Sequence, residues 1–251
     1  MRYCALLPLS YSAQPARRFP ALYWLHGLGQ NEQALVGSGG WPLAEELQRQ
    51  KKISEYLIFT PDAGASFYLN SRDGRERYED FFIREFIPAM DKRFRTRAEA
   101  AQRGISGVSM GGYGALRLGL KYPHLFGAVS AHSAALIEKA PASLSGAARL
   151  GILEEAFGSP PDAKFWERNS PFTIARGLPP AKAKRIYFDC GTEDDFGFEA
   201  GNQAFSKLLD SHGVAHEFHL YPGGHGWSYT ARHIAASLEF HSRWFAQGPG
   251  S

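Results

Sequence analysis

Hydrophobic positions change period along this chain, and the changes mark out its elements. Unbroken apolar runs at 19–27 (FPALYWLHG) and 56–62 (YLIFTPD) read as strands buried on both faces, each ending in a loop. At 78–94 the period lengthens: Phe82, Phe86, Met90 and Phe94 recur every four residues, a helical stripe that Pro88 is expected to kink. A short strand through Gly104-Ile105-Ser106 follows, then a helix from Met110 that stops at Tyr122 ahead of Pro123. Further strands are expected at 126–134 and 184–191. An amphipathic helix at 201–213 closes on Gly213, the last strand spans 216–222, and a final helix at 228–245 has Ser228 as its expected cap. Strands alternating with helices predict an α/β fold with a mostly parallel sheet and helices on both faces. Residues 134–183 are too long for a plain connection and read as a small cap-like insertion.

A chain of 251 residues with 44% hydrophobic and 14% aromatic positions is large enough for one folded domain, expected over 1–251. The net charge of +3 is spread thinly, so nucleic acid is not an expected partner. The N-terminus has no long apolar core behind a basic start, and no later run approaches a membrane span. A cytoplasmic location without membrane attachment is therefore expected, although a chain trimmed of a leader would read the same. Cys4 and Cys190 lie in apolar, strand-like stretches, which favours buried thiols over a disulfide framework.

The candidate chemistry begins at Gly107-Val108-Ser109-Met110-Gly111, placed at a strand-to-helix junction. A turn that tight needs glycines beside the serine, and its strain lifts the hydroxyl clear of the sheet. A serine becomes a strong nucleophile when an imidazole takes its proton, and the imidazole needs a carboxylate to fix its tautomer. The sequence supplies these in the order Ser, Asp, His. CGTEDD (190–195) places Asp194 and Asp195 at the end of one strand, and PGGHGW (222–227) places His225 after the last. HGLGQN (26–31) follows the first strong strand, where acyl transfer needs backbone N–H groups aimed at an oxyanion; Leu28 and Met110 are the candidate donors, and the His26 side chain is expected to be structural. His212, His216 and His219 straddle a turn and a strand, and no metal is expected. Gly37-Ser38-Gly39-Gly40 lacks the Lys-Ser/Thr of a phosphate loop and reads as a flexible rim. Trp41, Phe67, Tyr68, Phe196 and Trp227 are expected around the mouth of the site, with Trp41, Tyr68 and Trp227 as substrate-binding candidates and a preference for short acyl chains.

Taken together, YCALLPLSY, FPALYWLHGLGQN, TPDAGASFYLN, GVSMGGYGALRLGLKYPHLF, CGTEDD and YPGGHGW resemble the esterase D family of α/β-hydrolases. That family includes S-formylglutathione hydrolases, tributyrin-type carboxylesterases, feruloyl esterases and mycolyltransferases. The likeness runs from about Tyr3 to Phe245 and is weakest in the cap. It implies an α/β-hydrolase fold and a serine carboxylesterase without cofactor, acting on small acyl esters or thioesters, with Ser109 as nucleophile, His225 as general base and acid, and Asp194 as its orienter. Asp195 is then expected to face solvent or cap the following segment. GGHGW looks more like the tributyrin-type branch than the S-formylglutathione branch, in which Ser-Tyr-Tyr usually follows the histidine. The chain begins close to the second strand usual in the family, so an earlier edge strand is expected to be missing or disordered. An acyltransferase and a non-catalytic binding relative are the competing readings, and self-association into a homodimer stays open.

Overall fold

The computed structural model describes residues 1–140, 151–181 and 185–247. Seven strands, Tyr3–Leu6 (β1), Ala21–Leu25 (β2), Leu57–Pro61 (β3), Arg103–Gly107 (β4), Ala128–His132 (β5), Ile186–Gly191 (β6) and Glu217–Tyr221 (β7), form one sheet in the order β1-β3-β2-β4-β5-β6-β7. Only the edge strand β1 runs antiparallel, against β3. The apolar run in β2 is continuous because both its faces are covered: Leu22 and Trp24 enter one core cluster, while Ala21, Tyr23 and Leu25 enter the other.

Helices Ala34–Gly37 (α1), Gly40–Arg49 (α2), Tyr78–Phe81 (α3), Ile87–Arg93 (α4) and Met110–Lys121 (α5) are followed by three in the cap region: Gly151–Phe157 (α6), Ala163–Asn169 (α7) and Pro171–Arg176 (α8). Phe198–Ser211 (α9) and Trp227–Gln247 (α10) are the last helices among the described residues. Leu47 of α2 and Ile234 and Leu238 of α10 pack on the Leu22/Trp24 face, and α5 and α9 cover the other through residues such as Leu116 and Phe205. Part of the expected cap, residues 141–150 and 182–183, and Lys184 of the expected strand lie outside the described residues. No helix among the described residues is long and apolar enough to cross a membrane.

Three local expectations change. The stripe at 78–94 is not one regular helix, because a π turn at Phe82–Phe86 separates α3 from α4 and takes up the expected break near Pro88. Gly37–Gly40 is a junction between α1 and α2, not a flexible rim; Gly39 adopts φ 83° and Gly40 is buried under Leu35 and Trp227. Ser228 does not cap the final helix, since α10 begins at Trp227 and the Thr230 N–H already reaches Gly226 O.

The strand order reverses beside β2, so the loops leaving β2 and β4 diverge to open a crevice at their carboxyl ends, the usual ligand position in an open α/β sheet. Those loops carry Leu28 and Ser109.

Candidate active site

Ser109 sits between β4 and α5 with φ 56° and ψ −116°, a backbone conformation that L side chains rarely adopt. Its neighbours make the turn feasible: a Cβ on Gly107 would lie 2.3 Å from Gly111 O, and one on Gly111 would lie 2.1 Å from Leu25 O. The Ser109 N–H donates to His132 O at 2.9 Å, fixing the turn to β5. The hydroxyl therefore projects from a rigid corner.

The histidine loop after β7 and the acid loop after β6 meet this corner. His225 Nε2 lies 3.0 Å from Ser109 Oγ, and its Nδ1 lies 2.7 Å from Asp194 Oδ2. A carboxylate can only accept, so Nδ1 carries the proton and Nε2 is free to accept from the serine. Asp194 is buried, which alone would raise its pKa. The hydrogen bond and positive potential of His225, with the N–H groups of Phe196 and Phe198, outweigh that burial and hold the carboxyl below the ordinary carboxylate range. Those two amides donate to Asp194 Oδ1 at 3.0 and 3.4 Å, and the Cys190 thiol, itself pushed up by burial, donates weakly to Oδ2 at 3.6 Å. The rings of Phe196 and Phe198 present to the imidazole edge-on, with centroids 4.7 and 5.5 Å from it.

Leu28 and Met110 both border the cavity above Ser109. Their N–H groups make none of the hydrogen bonds found among the described residues, and Met110 opens a helix whose first amides have no intrahelical acceptor. Two free donors beside a serine hydroxyl are what an oxyanion would need. His26 lies beneath the loop. Burial lowers its pKa, its Nδ1 donates to Gly27 O at 2.8 Å, and its Nε2 accepts from Ala63 N–H at 2.9 Å. The neutral ring thus holds the loop's shape.

The cavity has a volume of about 380 Å³. Phe67, Phe196 and Trp227 border it as expected, but Trp41 and Tyr68 do not. Trp41 packs instead against the core cluster that contains Trp24. Tyr68 is fully buried, and its hydroxyl donates to His26 O at 2.9 Å, so it braces the Leu28 loop from below. Residues not singled out from the sequence complete the wall: Tyr113 of α5, Leu153 and Phe157 of α6, and Trp166 of α7. The alternation of aromatic and polar residues in the cap gave no sign of which rings turn inward. Tyr113 donates to Asn169 O at 2.8 Å, and the buried Arg117 pairs with Glu79 at 2.6 Å and bonds Asn169, tying the cap to the nucleophile's helix.

Two buried groups also escaped the sequence reading. His132 and Asp189, both fully buried, approach to 2.9 Å, and Tyr229 donates to Asp189 at 2.9 Å. The pair stands on neighbouring strands, His132 at the end of β5 opposite Asp189 in β6, and faces α10, where Ser237 bonds His132 Nε2 and Tyr229 bonds Asp189. His212, His216 and His219 do not converge: His212 bonds Leu208 O, His216 bonds Ser206, and His219 stacks between Tyr187 and Tyr221.

Comparison with known proteins places the chain among esterases by family and fold. Esterase Rv1288 of Mycobacterium tuberculosis is 31% identical over 245 residues, covering 88% of this chain and 51% of that protein. The chain thus spans about half the length of that relative. An acetyl esterase of Caldicellulosiruptor saccharolyticus is 29% identical over 236 residues, covering 88% of this chain and 83% of the relative. The solved structure of a ferulic acid esterase superposes with a TM-score of 0.77 at 26% identity, over 97% of this chain and 92% of that one. The α/β-hydrolase fold is therefore shared, and the Putative esterase family model matches residues 1–241. On that match, a sheet of this topology and nearly the whole chain taken together, the protein belongs to the Putative esterase family.

Proposed function

We propose that this chain is a serine carboxylesterase that hydrolyses small, uncharged acyl esters or thioesters through an acyl-enzyme on Ser109. The observation that carries the reading is the unbroken relay from Ser109 Oγ through His225 to Asp194, with contacts of 3.0 and 2.7 Å, opening into a cavity. In this mechanism Nε2 of His225 removes the serine proton as Oγ attacks the substrate carbonyl. The N–H groups of Leu28 and Met110 receive the developing oxyanion. The imidazolium, steadied by ionised Asp194, protonates the leaving alcohol or thiol as the C–O or C–S bond breaks. Water then enters, gives its proton to Nε2 and attacks the acyl carbon; as the acyl–Oγ bond breaks, Nε2 returns that proton to Oγ, releasing the acid and restoring Ser109.

The cavity, about 380 Å³, stands near the small end of the range of about 300–1,000 Å³ usual for ligand pockets. Its wall of Phe67, Leu153, Phe157 and Trp166 carries no charged side chain to pair with a charged acyl group. That supports a compact apolar acyl group and leaves the alcohol open among simple, glutathione-type and aryl-linked esters. An acyltransferase differs only in that an alcohol replaces water at the second step, and added acceptor alcohols would divert the product if it held. The test is Ser109→Ala together with fluorophosphonate labelling. Turnover of p-nitrophenyl acetate should vanish with folding retained, and the label should map to Ser109. A retained rate, or a label on another residue, would refute the reading.

A further inference from the structure

The second carboxylate of the acid loop has a separate task. Asp195 is exposed, and the sequence placed it in solvent or at the cap of the following segment. The exposure agrees with that expectation, but the capping role does not hold. The N–H groups of Phe196 and Phe198, which open that segment, go to Asp194, whereas Asp195 turns toward the adjacent histidine loop and its Oδ2 accepts the main-chain N–H of His225 at 3.0 Å. Two adjacent aspartates thus hold one histidine at different points, Asp194 by the ring and Asp195 by the backbone.

We propose that Asp195 is a positioning residue that locks the histidine loop so that the imidazole keeps its line to Ser109; the inference rests on the reading of His225 as the general base. The need for a second hold follows from the loop itself. His225 stands between Gly224 and Gly226, and Gly223 and Gly226 have φ of 141° and 118°, so this backbone has little stiffness of its own. Beside the non-directional contacts of Phe196 and Phe198, a ring held by one hydrogen bond at Nδ1 can pivot about that bond and swing Nε2 away from the serine. Fixing the Cα end removes the pivot.

The surroundings support a clamp at this point. The Glu193 N–H donates to Gly223 O at 2.9 Å and the Thr192 N–H donates to Tyr221 O at 2.9 Å, so the two loops are already laced together as far as Gly223. Asp195 extends the lacing to His225 itself. A Cβ on Gly224 would stand 3.1 Å from Asp195 Oδ2, so the bare glycine lets the carboxylate reach past it.

The experiment compares Asp195→Ala, Asp195→Asn and Ser109→Ala on p-nitrophenyl butyrate. Misplacement of a catalytic group by about 1 Å can cost about 10²-fold, so kcat of Asp195→Ala should fall about ten- to a hundredfold with KM within about twofold of wild type. Asn presents an amide oxygen to the same N–H and should keep kcat within about threefold. Hydrogen exchange over the peptide 221–228 should quicken in the Ala variant and stay slow in the Asn variant. The proposal is overturned if Ala keeps wild-type kcat, if Asn is as slow as Ala, or if exchange does not change. An inactive Ser109→Ala beside an unaffected Asp195→Ala would sink this inference alone, whereas an active Ser109→Ala would sink the serine-esterase reading beneath it.

Discussion

Replacing Asp194 with Asn changes one atom and should reverse the polarity of the site. The carboxylate oxygen Oδ1 accepts the N–H groups of Phe196 and Phe198 at 3.0 and 3.4 Å, while Oδ2 faces His225 Nδ1 at 2.7 Å. In the variant the carboxamide oxygen stays with the two main-chain donors, because turning it away leaves them facing an NH₂ group at a cost of about 1–3 kcal/mol each. The NH₂ then points at Nδ1, and since it can only donate, Nδ1 must be the unprotonated nitrogen. The proton moves to Nε2, where the ring donates toward Ser109 and cannot take its proton. Flipping the amide to recover the working tautomer costs a few kcal/mol, and the imidazolium that follows lacks its counter-charge. Together these place the fall in kcat at about 10³–10⁴, equivalent to about 4–5.5 kcal/mol at about 1.4 kcal/mol per decade. Steady-state hydrolysis of p-nitrophenyl acetate at pH 7.5 reads kcat, and a thermal melt confirms that the fold survives. A folded variant within tenfold of wild-type kcat would refute the reasoning, since the tautomer would then not depend on Asp194.

Other outcomes follow from the same structure. Gly111→Ala drives a Cβ to 2.1 Å from Leu25 O and 2.7 Å from His26 O, both backbone atoms that cannot swing aside, so Tm should fall by at least about 4 °C, and an unchanged melt would contradict the packing. Burial lowers the pKa of His241 from 6.5 to about 3. The unfolded chain therefore takes up a proton below pH 6.5 that the folded chain refuses until about pH 3. Its contribution to stability is complete above pH 6.5 and is lost as the pH falls through that window, at about tenfold in the unfolding constant per pH unit. Urea titrations at pH 7 and 4.5 should show a smaller loss for His241→Gln than for wild type, and equal losses would refute it. Trp166→Ala opens the cap side of the cavity, so the kcat/KM ratio of dodecanoate to butyrate esters should rise about tenfold from a wild type that prefers butyrate; a wild type faster on dodecanoate would contradict the size argument.

The sheet, the serine corner and the loop positions of Asp194 and His225 were legible in the sequence because each rests on a local rule. Continuous apolar runs mark doubly covered strands, and Gly107 and Gly111 mark a turn where backbone atoms come within reach of any Cβ. Chain order then placed the candidate residues at strand ends, and parallel strands bring such ends to one side of a sheet. The pocket followed no local rule. Tyr68 and Phe67 are neighbours in sequence with similar left-handed φ of 56° and 50°, yet one ring braces a loop beneath the site and the other borders the cavity. The folding of α6 and α7 over the crevice decided that Phe157 and Trp166 would form its wall, and nothing in their own segments encodes that partner. The same holds for Asp195 and for the His132–Asp189 pair. Whether a carboxylate meets water, a helix end or another loop depends on which strand lies beside its own, and that neighbour is set by the order β5-β6-β7, a property of the assembled sheet. Local chemistry chose the residue types and the corners of this protein; tertiary packing assigned them their partners, because hydrogen bonds and cavity walls are made between segments that the chain separates by tens of residues.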